Sequence, residues 1–198
     1  MYSCNVYISG AYEDSKENED SANCAYTISE WLIEKGYRIY TGYGKNMGAE
    51  VVAGAFSGYQ KARRKMNEFE DYVHIVPFPW KSSMSRGERN RMYSDIRSNS
   101  IARTQFTIII NGTKRDKTKL IASPGVKEEA SISLDQENVV IPVAFTGGAA
   151  LEVWEELRRK NLSYTHTDAF KKLKSGSTID EAITAVKEII TASIRNVV

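Results

Sequence analysis

An α/β fold with a Rossmann-like, doubly wound parallel sheet and helices on both faces is predicted by three features of this 198-residue sequence. Strand-like and helix-like segments alternate along the chain, which is typical of parallel α/β domains. The segment Phe106–Ile110 is continuously apolar or β-branched, as expected for a central strand covered on both faces. Small residues follow several predicted strands, and doubly wound sheets bind ligands beyond those strand ends.

The first half of the chain contains three predicted strands and two predicted helices. Alternating apolar residues indicate the strands, and apolar residues at helical spacing indicate the helices. In chain order, these are a strand over Ser3–Ser9, a helix over Ser21–Lys35 with Gly36 at its C-terminal cap, a strand over Tyr37–Thr41, a helix over Gly48–Met66 and a strand over Tyr72–Val76. The third strand is expected to end at Pro77 because proline has no N–H to donate to a strand ladder.

The second half continues the alternation. In chain order, it contains a helix over Glu88–Ala102, the strand Phe106–Ile110, a helix over Val126–Leu134, a strand over Val139–Val143, a helix over Gly147–Lys160 and a last helix beginning at Ser177 or Thr178. Thr178 and Glu181 have the spacing of a capping box. A basic loop over Arg115–Ser123 interrupts the pattern. Because no Gly-, Ser- or Pro-rich linker divides the sequence, residues 1–198 are expected to form one domain.

The bulk composition excludes several functional classes. The chain carries 27 Lys and Arg against 25 Asp and Glu. This balance provides no excess of positive charge for binding nucleic acid. No apolar run approaches the roughly 20 residues of a membrane helix and no signal peptide is recognisable, so a cytoplasmic protein without membrane contact is expected. Cys4 and Cys24 are expected to be free thiols, and no zinc or other metal site is predicted.

Glycine or small residues stand at the exits of four predicted strands. These exits are Ser9-Gly10-Ala11, Gly42-Tyr43-Gly44, Asn111-Gly112-Thr113 and Thr146-Gly147-Gly148. Each one alone is explained as readily by a tight turn. Together at one edge of the sheet, they favour an extended, phosphate-bearing ligand of nucleotide size, because backbone N–H groups and helix N-termini attract anions. The dinucleotide-binding and P-loop glycine motifs are both absent from the sequence.

Charged and aromatic residues near these exits are candidate ligand contacts. Arg97 precedes the central strand, Lys114 follows it and Glu129 lies early in the next helix. An arginine can grip a phosphate, a lysine adds charge, and a glutamate accepts from ribose hydroxyls, but the three also fit an exposed salt-bridge cluster. Aromatic side chains after the second and third strands could stack on an adenine or pack the edge of the sheet. They are Tyr43, Phe78 and Trp80.

Four segments resemble the SLOG superfamily. They are Val6–Ala11, Tyr40–Gly44, Met92–Arg97 and Pro124–Glu129, and the similarity extends from about Val6 to Val143. This superfamily includes LOG-type phosphoribohydrolases, which release cytokinin bases, and sensor domains of bacterial antiphage effectors. The sequence most resembles the SLOG domains that follow a sirtuin-like NAD hydrolase in Thoeris effectors.

The resemblance implies a sensor that is not itself an enzyme and needs no cofactor. In the Thoeris domains the ligand is a cyclic ADP-ribose isomer made by a partner TIR-domain protein, and binding activates the attached hydrolase. The ligand-gripping Arg, Lys and Glu would be Arg97, Lys114 and Glu129, with Gly125 beside them. A homodimer is expected on the same ground. Because Met1 stands almost directly before the first strand, an upstream effector domain is expected to be missing from this chain.

The resemblance leaves a LOG-like phosphoribohydrolase as the alternative function. Arg97 and Glu129 match the two residues with which those enzymes cleave the N-glycosidic bond. The stretch between them differs, however, since Asn111–Lys114 replaces a double-glycine turn and the basic insertion Arg115–Ser123 precedes Gly125. This difference favours a wider pocket over monophosphate hydrolysis. A third interpretation is an oligomerisation module that pairs across a two-fold axis through the last helix or through the helix over Gly147–Lys160.

Overall fold

A computed structural model describes residues 4–13, 18–79, 81–174 and 178–195. The strands are β1 (Asn5–Ala11), β2 (Arg38–Thr41), β3 (Val73–Ile75), β4 (Phe106–Asn111), β5 (Thr113–Asp116), β6 (Lys119–Ala122) and β7 (Val139–Val143). The helices are α1 (Glu19–Glu34), α2 (Met47–Lys61), α3 (Arg86–Ile101), α4 (Pro124–Asp135), α5 (Gly148–Lys160), α6 (Asp168–Lys172) and α7 (Ile179–Arg195).

Five parallel strands form the central sheet in the order β3-β2-β1-β4-β7. The chain winds outwards from β1 to β3 and then returns to place β4 on the other side of β1. The strand order therefore reverses between β1 and β4, and such a switch point is where doubly wound sheets hold ligands. The predicted doubly wound parallel sheet is confirmed.

Alternate residues of β1 face two different helical layers. Val6 and Ile8 belong to the main apolar core, together with buried residues of α1, α2 and α7. Tyr7 points the other way and packs with Tyr40 of β2 and Ile101 of α3. Because side chains alternate along a strand, Ser9 shares the face of Tyr7, towards α3 and α4. This layer carries the polar residues of the site.

The ends of several predicted elements differ from those in the structure, and the first strand and the second helix are two examples. The strand β1 continues to Ala11, because residues 9–11 pair with β4 as far as Asn111, so Ser9-Gly10-Ala11 forms the end of the strand. The helix α2 ends at Lys61 and not at Met66. Arg63 has a φ of 53°, a left-handed conformation that no α-helix can continue through. Residues 66–71 form a separate 3₁₀ helix.

The basic insertion is an antiparallel hairpin and not a loop. The strands β5 and β6 pair with each other from Thr113↔Ala122 to Asp116↔Lys119, and Lys117 adopts a positive φ at the turn. The short helix α6 was also not predicted. The predicted capping box of α7 is confirmed, since the Glu181 N–H donates to Thr178 Oγ1 at 3.3 Å. The predicted start points Ser3 and Ser177 lie outside the described residues.

Two further expectations can be compared with the structure. Cys4 and Cys24 are both free thiols, with Cys24 buried and Cys4 half-buried. Burial raises the pKa of the Cys24 thiol to about 12, so the thiol stays protonated. Within the described residues, no helix combines the length and the apolarity required to cross a membrane.

Candidate ligand-binding site

Two adjoining cavities open at the carboxyl ends of the central strands. The larger has a volume of about 790 Å³, and the smaller of about 170 Å³. Both are lined by Arg97, Ser123 and Gly125. The larger cavity is also lined by Arg86, Arg89, Asn90, Tyr93, Lys114, Pro124 and Glu128. The smaller one is also lined by Tyr7, Ile8, Ser9, Gly10, Ala11, Gly42, Gly44, Phe78, Val126 and Glu129.

Glu129 is a buried carboxylate at the floor of the smaller cavity. It lies in the second turn of α4 and is 5% exposed. Ser9 Oγ donates to Oε2, and Tyr7 Oη donates to Oε1 at 3.2 Å. Arg97 Nε donates to the same Oε1, also at 3.2 Å. The sheet therefore supplies two hydroxyl donors from one face of β1, and α3 supplies the cation.

Burial dominates the protonation of this cluster. Burial raises the pKa of Glu129, although the hydrogen bond from Ser9 and the charge of Arg97 both act to lower it. Burial also raises the pKa of Tyr7 well above its ordinary value, and the negative charge of Glu129 adds to this effect. Tyr7 therefore remains a neutral donor. The charged form of Glu129 is favoured by Ser9 and Arg97 and disfavoured by burial.

Arg97 joins the two cavities. While Nε bonds to Glu129, Nη1 donates to Glu128 Oε2 at 3.0 Å. The guanidinium also stacks over the ring of Phe78, with its central carbon 4.6 Å from the ring centroid. One side of Phe78 is therefore covered by Arg97 and is not open to an adenine ring. Cation–π stacking and two carboxylates together hold the guanidinium in one place.

Two glycines allow this close packing. A Cβ at Gly125 would lie 2.6 Å from Arg97 Nη2, and a Cβ at Gly42 would lie 2.7 Å from Phe78 Cε2. Both distances are shorter than any van der Waals contact, so a larger residue would displace the guanidinium or the ring. The absence of a side chain at Gly42 and Gly125 is thus part of the geometry of the site.

A polar face of α3 forms one wall of the larger cavity. Its members are spaced as expected for one side of a helix and are Arg86, Arg89, Asn90, Tyr93 and Arg97. Ser85 begins this helix with a capping box, in which its Oγ accepts from the Glu88 N–H at 3.2 Å. Sequence reasoning identified only Arg97 on this face. The spacing of the basic residues between 86 and 97 was the available signal for the others.

Most of the predicted site residues line the two cavities. They are Ser9, Gly10, Ala11, Gly42, Gly44, Phe78, Arg97, Lys114, Gly125 and Glu129. Arg97 and Glu129 are in direct contact, whereas Lys114 is exposed on β5 and reaches the site from the hairpin wall of the larger cavity. Trp80 lies outside the described residues. Whether the lining residues bind a ligand stays a prediction.

Four predicted residues lie outside both linings, as far as the chain is described, and make contacts within the fold. The Asn111 amide donates to Ser21 Oγ at 2.9 Å, which ties β4 to α1. Gly112 and Thr113 pack against α5, since a Cβ at Gly112 would lie 2.8 Å from Ala149 Cβ and Thr113 Cγ2 lies beside Gly148. The ring of Tyr43 packs against Gly48 at the start of α2. The fourth predicted exit, Thr146-Gly147-Gly148, lies beside Asn111 and outside both linings.

Comparisons with known proteins identify the relatives of this chain. A family model described as STALD, the Sir2- and TIR-associating SLOG family, matches residues 1–193. The NAD(+) hydrolase ThsA of Bacillus cereus is 28% identical over 192 residues, and that of Enterococcus faecium is 26% identical over 200 residues. The matches cover 96% and 94% of this chain, respectively. The chain spans only 39% of the length of either relative.

Solved structures share the fold at low sequence identity. The molybdenum cofactor carrier protein of Chlamydomonas reinhardtii matches with a TM-score of 0.52 at 14% identity, covering 96% of this chain and 99% of that one. The molybdenum cofactor binding protein of Rippkaea orientalis matches with a TM-score of 0.54 at 15% identity and the same coverage. DprA of Helicobacter pylori matches with a TM-score of 0.52 at 14% identity, covering 93% and 80%. At these identities the similarity shows the fold alone.

Proposed function

This chain belongs to the Sir2- and TIR-associating SLOG family, and on that premise we propose that it is a regulatory domain that binds a cyclic ADP-ribose isomer. The observation that carries the proposal is the larger, cation-lined cavity, which adjoins the smaller cavity at the end of β1. Arg86, Arg89, Arg97 and Lys114 line it. Its volume of about 790 Å³ lies within the range of roughly 300–1,000 Å³ that is common for small-molecule sites.

The charges of the cavity suit a ligand with a diphosphate. Lys114 on the hairpin and Arg86 on α3 line the cavity together with Arg97, so a diphosphate between them meets positive charge from both elements. Arginine binds phosphate through paired N–H groups, and lysine adds a point charge. Glu129 adds a carboxylate, whose roughly four lone-pair positions exceed its three present donors and could accept a ribose hydroxyl.

The proposed role is regulation of an attached effector. The relatives ThsA are named NAD(+) hydrolases, and this chain corresponds to 39% of their length. We therefore propose that the chain acts as the sensor part of such an effector, and that a TIR-domain protein supplies the cyclic ligand. A homodimer through this domain is part of the proposal. Light scattering with and without ligand would contradict it by showing a monomer in both states.

A nucleoside-monophosphate phosphoribohydrolase is the second candidate function. One observation favours it, because a buried Glu129 with a raised pKa lies in contact with Arg97 beside a cavity. A carboxyl group of raised pKa is more readily protonated and can donate that proton to a leaving group, as glycosidic cleavage requires. Incubation with AMP followed by chromatography for free adenine tests this candidate. Adenine release that is lost in Glu129→Gln would support it over pure sensing.

Isothermal titration calorimetry with cyclic ADP-ribose isomers, ADP-ribose and NAD tests the main proposal. Binding of one cyclic isomer is expected to weaken roughly tenfold or more in Arg86→Ala and in Lys114→Ala, because each substitution removes one charged contact to phosphate. Arg91→Ala is the matched control, since Arg91 is exposed on α3 and lies off the face that lines the cavity. Equal affinity in all four proteins would contradict the proposed site. Binding of none of the ligands by the unmodified chain would contradict the function.

A further inference from the structure

Arg97 is held by two carboxylates that differ in exposure. Its Nε bonds to Glu129 at 3.2 Å, and its Nη1 bonds to Glu128 at 3.0 Å. The side chain of Glu129 is 7% exposed, whereas that of Glu128 is 38% exposed. A carboxylate that can turn into water loses little when its ion pair opens, but a buried carboxylate left without its cation is costly. Glu128 is therefore the exchangeable partner of Arg97, and Glu129 the permanent one.

The exchangeable carboxylate lies on the side from which a ligand would enter. Glu128 lines the larger cavity together with Arg86, Arg89 and Lys114, whereas Glu129 lines the smaller one. Among the described residues that line the larger cavity, Glu128 is the one carboxylate. A phosphate entering this cavity meets three basic residues and then Arg97, which already donates one N–H of Nη1 to Glu128.

The rest of the contacts of Arg97 would survive the loss of Glu128. The guanidinium stacks on Phe78 at 4.6 Å and keeps its bond from Nε to Glu129. Only the contact at Nη1 has to open for an anion to take its place. Arg97 is thus already oriented to donate paired N–H groups to phosphate oxygens. At present Glu128 accepts the hydrogen bond from Nη1 that a phosphate oxygen would take over.

We propose that Glu128 is a built-in counter-ion that a phosphate-bearing ligand displaces from Arg97, an inference that rests on the proposed function of this cavity. The competition lowers the affinity of the site and raises the ligand concentration at which the sensor responds. It also makes the site selective, because a neutral nucleoside brings no anion to replace the carboxylate. Glu128 is accordingly a specificity-determining residue that sets the threshold of the sensor.

Inorganic pyrophosphate is the probe that tests this proposal, because it carries the linked phosphates of an ADP-ribose without sugar or base. Calorimetric titrations compare the unmodified chain with Glu128→Gln and Glu128→Ala. Both variants are expected to bind pyrophosphate roughly two- to tenfold more tightly, which is the range for removing one partly exposed competing ion pair and one repulsive charge. Adenosine is expected not to bind any of the proteins.

Glu152→Gln is the matched control. It removes the same charge from a side chain that is 51% exposed and bonds to Lys127 at 2.8 Å instead of Arg97. The control is expected to bind pyrophosphate like the unmodified chain. An equal gain in Glu152→Gln would overturn the proposal, since the effect would then be one of net charge. Unchanged or weaker binding in both Glu128 variants, or no pyrophosphate binding by any protein, would also overturn it.

The same variants separate this inference from the proposed function. If a cyclic ADP-ribose isomer binds but the Glu128 variants show no gain for either ligand, the function stands and the counter-ion role fails. If the variants gain affinity for pyrophosphate but no protein binds an ADP-ribose ligand, the counter-ion role stands and the proposed ligand is wrong.

Discussion

Replacing Arg97 with alanine would leave the Glu129 carboxylate buried without its cation. The two side chains are 11% and 7% exposed, so water does little to replace the lost contact. Removing one partner of a buried ion pair typically costs about 3–5 kcal/mol, which is a large part of the stability of an ordinary domain. Glu129 still receives hydrogen bonds from Ser9 and Tyr7, so the lower end of this range is expected.

The loss of stability in Arg97→Ala should depend on pH. Burial already places the folded-state pKa of Glu129 above the ordinary value of 4.5, and removing Arg97 raises it further. Between the unfolded and the folded pKa the native state holds more protons, so the free energy of unfolding falls as pH rises. One group can contribute a slope of at most about 1.4 kcal/mol per pH unit, and measurements at about pH 5.5 and about pH 7.5 show whether the stability falls in this direction. The unmodified chain should show a shallower fall.

Urea unfolding at those two pH values measures both effects in Arg97→Ala, Glu129→Gln and the double variant. The double variant is expected to be more stable than Arg97→Ala at the higher pH, because no buried charge remains. Arg91→Ala serves as the control on the same helix. If Arg97→Ala unfolds like the unmodified chain at the higher pH, or loses no stability between the two values, Glu129 is not a buried group that depends on Arg97.

Three further substitutions test the position of Arg97, the N-terminal cap of α3 and the hydrogen bonds of Glu129. In Gly125→Ala the new Cβ would lie 2.6 Å from Arg97 Nη2, so ligand affinity should fall roughly tenfold by calorimetry. Unaltered affinity would show that the position of the guanidinium does not matter for binding. Ser85→Ala removes the capping box of α3 and should cost about 1 kcal/mol of unfolding free energy in urea. Tyr7→Phe removes one donor to Glu129, so the pH-dependent loss of stability should extend to higher pH, and an unshifted profile would contradict the role of that hydrogen bond.

The fold class and the order of strands and helices along the chain could be predicted from the sequence, because the central strand is apolar on both faces. The run Phe106–Ile110 is wholly buried in β4, and the alternation of strands and helices along the chain predicted a doubly wound parallel sheet, although the strand order came from the structure. The hairpin was missed for the opposite reason. Residues 114–117 of β5 and its turn are charged and exposed, so no apolar alternation marks them as a strand.

The site was only partly derivable from the residues alone. Arg97 and Glu129 are 32 positions apart, and their pairing was suggested by the family resemblance and not by spacing. The structure explains it, since α3 and α4 cover the same face of the sheet. Asn111 and Gly112 make packing and hydrogen-bond contacts within the fold, and their predicted contact with a ligand stays a prediction. The helical spacing of the basic residues on α3 would have predicted that they share one face, but only Arg97 was identified from the sequence.

We propose that this chain binds a cyclic ADP-ribose isomer and releases it unchanged. The most direct measurement saturates the chain with each isomer, separates bound from free ligand, and identifies the recovered ligand by chromatography and mass spectrometry. We expect one isomer to be retained in a defined ratio and recovered intact, and its retention to be reduced in Lys114→Ala. Recovery of free adenine or opened ADP-ribose, or retention of no isomer, would contradict it.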